Sequence, residues 1–169
     1  MRKRDILILM LGISTGMRCG SMVEIDISDI DFLNKYIKIY QKGNKQLLIP
    51  ISDNIIDLIV VWLDAREMLI GDEECDTDAL FISIKRKRIG RNVIANTIKK
   101  YTQNINKNIT PHKLRSTCAT QLIKKTGNIY LASQRLGHSN VETTKRYATI
   151  DEEMEQKAVD AMDSVLFDL

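Results

Sequence analysis

Thr110-Pro111-His112-Lys113-Leu114-Arg115, Leu136-Gly137-His138 and Thr144-Lys145-Arg146-Tyr147-Ala148 hold the only two histidines of the 169-residue chain, each near an arginine, and a tyrosine nine positions after the second. Thr110 is a good N-cap and Pro111 suits a first helical position, so His112 and Arg115 should open a helix and point to one side of it. Ser139 followed by Glu142 is a capping-box pattern, which predicts another helix directly after His138. Tyr147 would sit about two turns into that helix. These residue types offer anion binding, proton transfer and nucleophilic attack.

Outward from this stretch, charge is sharply segregated. Residues 81–149 carry 15 lysines and arginines against one acid, Glu142, whereas residues 1–80 carry 9 against 14 and residues 150–169 carry 1 against 7. A basic block between two acidic ones suggests a face for a polyanion, and both histidines and Tyr147 lie inside it. The length suits one globular domain with a buried core. The longest apolar run, Ile6 to Ile13, is too short to span a bilayer, and the start lacks a secretion-cleavage pattern, so a cytoplasmic protein is expected. Cys19, Cys75 and Cys118 are scattered and show no C-x-x-C spacing, which argues for free thiols rather than disulfides or a zinc site.

Asp5 to Gly16 is apolar almost all round and reads as a buried helix stopped by Gly16. Arg18, just beyond it, would hold a rigid fork for two phosphate oxygens, or equally a salt bridge to Glu24 or Asp29. Tyr36 to Tyr40 and Gln46 to Ile51 flank a Gly-Asn turn and predict a β-hairpin, with Lys42 at its tip. Ser52 should cap a helix from Asp53 to about Leu69, with Trp62 in the core. Leu80 to Ser83 reads as a short third strand. Lys85 to Gly90 is a basic connection into a helix from about Arg91 to Asn104, a candidate for lying along a groove. Gly127 should end the helix that His112 begins, and Asn128 to Arg135 should form a short helix delivering Gly137 and His138.

In H-x-x-R, then L-G-H, then a tyrosine nine residues later, the chain resembles the tyrosine recombinase (phage integrase) family. Two further family motifs, T-G-x-R and K-G-x-K, match Thr15-Gly16-Met17-Arg18 and Lys42-Gly43-Asn44-Lys45, and the resemblance runs from about Asp5 to Ile150. It implies an α+β, mainly helical catalytic domain with a small three-stranded antiparallel sheet, over residues 1–150. It also implies a site-specific recombinase that cleaves and rejoins double-stranded DNA through a 3′-phosphotyrosyl bond. By the same resemblance Arg18, Lys42, His112, Arg115, His138 and Tyr147 are catalytic. Lys45, Lys85, Arg86, Lys87, Arg88, Arg91, Lys99, Lys100 and Lys113 are the candidate DNA contacts, and neither metal nor cofactor is called for.

Family members usually add an N-terminal helical domain that closes on the other face of DNA. This chain starts almost at the catalytic domain, so a fragment of a longer protein is expected. Residues 151–169 are acidic, with Met154, Ala158, Ala161, Met162, Val165 and Leu169 at helical spacing. They are expected to form a tail helix that packs in cis, or in trans within a homo-oligomer on DNA. The family usually has serine and glutamate where this chain has Gly20 and Ser21, a departure that Glu24 could offset. Type IB topoisomerase chemistry and a DNA-binding module without catalysis are the alternatives. A serine hydrolase is disfavoured by the lack of G-x-S-x-G.

Overall fold

Gly16 takes φ 65°, a left-handed conformation that glycine adopts without a Cβ clash, and its N–H closes the first helix on the carbonyl of Gly12. In the computed structural model, which describes residues 1–41, 45–71, 75, 77–103 and 109–137, this helix, α1, spans Arg2–Thr15. It begins earlier than its apolar run because Arg4 and Asp5 neutralise one another inside the protein, Nη2 to Oδ1 at 2.8 Å, while Arg4 Nη1 donates to the carbonyl of Ile82. Burial is one-sided. Leu7, Ile8 and Leu11 are wholly buried, whereas Ile6, Met10 and Ile13 are exposed, which corrects the expectation of a helix buried all round.

A five-residue helix, α2 (Cys19–Val23), and a 3-10 turn at Ile27–Asp29 follow. The sheet has three antiparallel strands in the order β1 (Ile30–Asp31), β2 (Tyr36–Gln41) and β3 (Lys45–Pro50), with Ile37 opposite Ile49 and Gln41 opposite Lys45. Alternation places Ile37, Ile39 and Ile49 in the core and leaves Tyr40 and Leu48 exposed. The mainly helical α+β class and the hairpin are as the sequence indicates.

The third strand is not the expected one. Residues 79–82 are wholly buried but form only isolated bridges, Asp26 with Ala79 and Ile82 with Arg88. Helix side chains take up three of their four carbonyls, and Phe81 O accepts from the backbone N–H of Ile89. From α3 (Asp53–Ile70), Trp62 Nε1 donates to Leu80 O at 2.7 Å and Arg66 Nε donates to Ala79 O at 3.1 Å. A segment satisfied in this way does not need a ladder partner. The other carbonyl donor, Arg4, comes from α1. Ser52 stands at the N-cap of α3 without a side-chain cap bond.

α4 (Arg91–Thr102) packs against α1 and α2. α5 (Pro111–Thr126) comes next, and the boundary between two compact units, residues 1–118 and 119–169, falls within it. Sequence alone suggests a single domain through residue 150. In the second unit Gly127 (φ 64°) follows α5 as expected, and Asn128 caps α6 (Ile129–Leu136) by accepting from Leu131 N at 2.9 Å. Ile123, Ala132 and Leu136 are buried. Among the described residues no helix is long and apolar enough to cross a membrane. Lys42, His138, the helix expected after Ser139, Tyr147 and the tail at 151–169 lie outside the described residues.

Candidate active site

α5 starts as its sequence indicates, with Thr110 Oγ1 accepting from Lys113 N at 3.3 Å. His112, in the first turn, is exposed. Arg115, one turn further on, is only 6% exposed, and its Nη1 donates to the carbonyl of Gly16 at 2.5 Å. Three residues later Cys118 Sγ donates to the carbonyl of Ser14. The start of α5 is therefore tied at two successive turns to the end of α1, joining segments 99 residues apart. The glycine turn that stops α1 is also the seat of the buried guanidinium.

Arg18 stands two residues beyond that seat, at the N-cap of α2 with φ −73° and ψ 146°. Its side chain is exposed, and among the described residues it has no hydrogen bond or ion pair. The salt bridge that sequence left open does not form. Asp29 instead accepts from Asp26 N at 3.1 Å and pairs with Lys38 at 3.4 Å, while Glu24 stays exposed. The Asp29 carboxylate raises the Lys38 ammonium above its ordinary range, chiefly through their hydrogen bond. One guanidinium is thus held inside against Gly16 O, and the other, two residues along the chain from that carbonyl, is exposed.

The expected DNA contacts divide. Arg88 donates to the carbonyls of Val23 at 2.8 Å and Ile25 at 3.4 Å and pairs with the Asp26 carboxylate. Arg86 takes a left-handed φ of 58°, and its Nε donates to Leu69 O at 3.3 Å. Both arginines, partly exposed, thus brace the chain. Their neighbours Lys85 and Lys87 are exposed, as are Arg91, Lys99, Lys100 and Lys113. Lys100 lies 3.9 Å from Asp5 Oδ2 and over the Tyr101 ring at 5.1 Å. Lys45 opens β3, and its side chain is outside the described set.

Cys19, between Arg18 and Gly20, has its thiol raised by burial, with its own backbone N–H and the Arg91 charge pulling the other way. This nearness of Arg91 was not legible in the sequence, where Arg91 and Cys19 are 72 positions apart. Among the described residues no group of three or more histidines, cysteines or acids is placed to hold a metal ion.

The phage integrase family model matches residues 1–154. The tyrosine recombinase XerD of Staphylococcus epidermidis is 31% identical over 157 residues, which cover 91% of this chain and 52% of that protein. The tyrosine recombinase XerC of Psychromonas ingrahamii is 35% identical over 151 residues, covering 88% and 49%. Among solved structures, XerA recombinase superposes with a TM-score of 0.79 at 27% identity, over 98% of this chain and 58% of that one. XerH site-specific recombinase bound to difH substrate gives 0.78 at 25%, over 94% and 46%. The chain spans about half the length of the curated relatives it matches.

Proposed function

Since the chain belongs to the phage integrase family, we propose that it is the catalytic domain of a site-specific DNA recombinase that breaks and rejoins strands through a phosphotyrosine. The observation that supports this most is the bond from Arg115 to Gly16 O, which sets the His112-x-x-Arg115 turn against the Gly16-Met17-Arg18 turn. A phosphodiester repels nucleophiles through its nonbridging oxygens, so the first requirement is charge neutralisation. Arg18 and Arg115 supply it, and His138 adds a hydrogen bond. Because arginine carries this role, the step needs no metal.

A tyrosine hydroxyl has a reference pKa of about 10 and attacks poorly at neutral pH. His112 accepts its proton as the Tyr147 oxygen bonds to phosphorus. The bond from phosphorus to the 5′ oxygen breaks, Lys42 protonates that oxygen, and the 3′ phosphate remains on Tyr147. A second 5′ hydroxyl reverses the step. The bond energy is kept throughout, which is why no nucleotide cofactor enters.

The partner is double-stranded DNA, met by Lys45, Lys85, Lys87, Lys99, Lys100 and Lys113 in the cytoplasm. The protein works as a homo-oligomer on DNA through the acidic tail at 151–169, whose charge keeps it off the DNA itself. The test is trapping on a duplex nicked near the cleavage point. Wild type should form a covalent protein-DNA species and Tyr147→Phe none, with DNA affinity nearly unchanged because only a hydroxyl is lost. An adduct from the phenylalanine variant removes Tyr147 as nucleophile. The Gly20-Ser21 departure favours a second reading, a DNA-binding module without catalysis, for which wild type also forms no adduct.

A further inference from the structure

The peptide unit between Gly16 and Met17 is held at both ends. Its carbonyl accepts from Arg115 Nη1, and its N–H donates to Thr15 Oγ1 at 3.2 Å. The Thr15 hydroxyl in turn donates to the carbonyl of Leu11 at 2.6 Å, one turn back in α1. One hydroxyl thus both donates and accepts. Thr15 is only 1% exposed, so bulk water does not replace either bond if the hydroxyl is removed.

The bond back to Leu11 is a common habit of threonine within a helix. The forward bond depends on the turn. Because Gly16 is left-handed at φ 65°, the chain folds back and brings the Met17 N–H to the hydroxyl two residues before it. A peptide is planar, so fixing its N–H also fixes the direction of its C=O. That C=O is the buried acceptor of Arg115, 99 residues away along the chain. Thr15 therefore reaches Arg115 through one rigid unit of backbone.

We propose that the Thr15 hydroxyl is a positioning group for Arg115: by fixing the Gly16–Met17 peptide it sets the orientation in which the guanidinium receives the phosphodiester. The proposal rests on the DNA-recombinase reading and adds to it a residue that acts only through another. Thr15→Val keeps the side-chain shape and deletes the hydroxyl. At saturating protein it is expected to slow adduct formation on the nicked duplex by about 100-fold, the cost of a misplacement of about 1 Å, with duplex affinity as in wild type. Thr15→Ser, which keeps the hydroxyl, is expected to restore the rate. A second readout needs no cleavage. In nitrogen NMR the Arg115 Nη protons should exchange slowly in wild type and in Thr15→Ser, and rapidly in Thr15→Val.

A wild-type rate and slow Nη exchange in Thr15→Val overturn the proposal. So does a loss that serine does not restore, which assigns Thr15 to packing through its methyl group. If Thr15→Val does not fold, Thr15→Ser decides: a lost rate or a freed guanidinium with the hydroxyl in place overturns the proposal, and retention of both supports it. Trapping and exchange also fail separately. Without a wild-type adduct the recombinase reading is rejected, and the Arg115 signal alone then decides whether Thr15 positions it.

Discussion

Arg18 and Arg115 carry the same charge in opposite settings, and their alanine variants should separate accordingly. Arg115 is buried on a carbonyl, so Arg115→Ala leaves the Gly16 oxygen without its donor and should cost about 1–3 kcal/mol in urea unfolding. Arg18→Ala removes an exposed side chain with no partner among the described residues and should stay within about 0.5 kcal/mol of wild type. Both should nevertheless lose cleavage, and Arg115→Lys should also lose it, since a point charge cannot reproduce a bidentate fork. Equal unfolding midpoints for the two alanine variants would contradict this division. Asp31 offers a pH test. Hydrogen bonds from the Asn34 side chain and backbone lower its pKa, so its contribution is present at neutral pH and is lost as pH falls through the depressed folded value. The gap in urea midpoint between wild type and Asp31→Ala should therefore be open at pH 7 and close under strongly acidic conditions. A gap independent of pH would exclude an ionic origin.

Between β3 and α4 the chain makes one basic turn with two kinds of cation. Arg86 and Arg88 brace it against Leu69, Val23, Ile25 and Asp26, while Lys85 and Lys87 are left exposed. Arg88→Ala should lower stability by about 1–3 kcal/mol, because the Val23 carbonyl and the Asp26 carboxylate lose a donor while Ile25 O keeps its bond from Leu80 N. Lys85→Ala and Lys87→Ala should change stability by less than about 0.5 kcal/mol and each lower the salt slope of DNA binding by about 0.9. Thermal melts and titrations on the same variants measure both. A destabilised Lys85→Ala with wild-type DNA binding would reverse the assignment. Sequence presents Lys85-Arg86-Lys87-Arg88 as a uniform run, and only the partners of each side chain divide it.

At the scale of the whole molecule, the segregated charge separates a basic block at 81–149 from an acidic tail. If that tail docks on a second copy, deleting residues 154–169 should turn an oligomer into a monomer. If it docks on its own chain, the deletion should expose apolar surface. Light scattering and binding of a hydrophobic dye distinguish the two, and no change in either removes the docking role. At this scale too, most of the architecture was legible beforehand. Thr110, Pro111, Gly16, Gly127 and Asn128 mark helix ends through interactions within a few residues of themselves. The alternation of Tyr36 to Tyr40 marks β2 in the same local way. The three catalytic candidates among the described residues, Arg18, His112 and Arg115, were likewise visible as short motifs. Which chain segments meet was not visible. That Leu80 serves as an acceptor for Trp62 rather than as a strand residue depends on a helix 18 positions away. That Arg88 reaches Val23 and Arg115 reaches Gly16 depends on segments 65 and 99 positions away. Sequence by itself determined the elements, because caps, turns and periodicity act over one or two turns of chain. Tertiary structure alone decided the third strand, the exposed face of α1 and which arginines remain outward, because a buried carbonyl or carboxylate captures whichever donor packing brings to it.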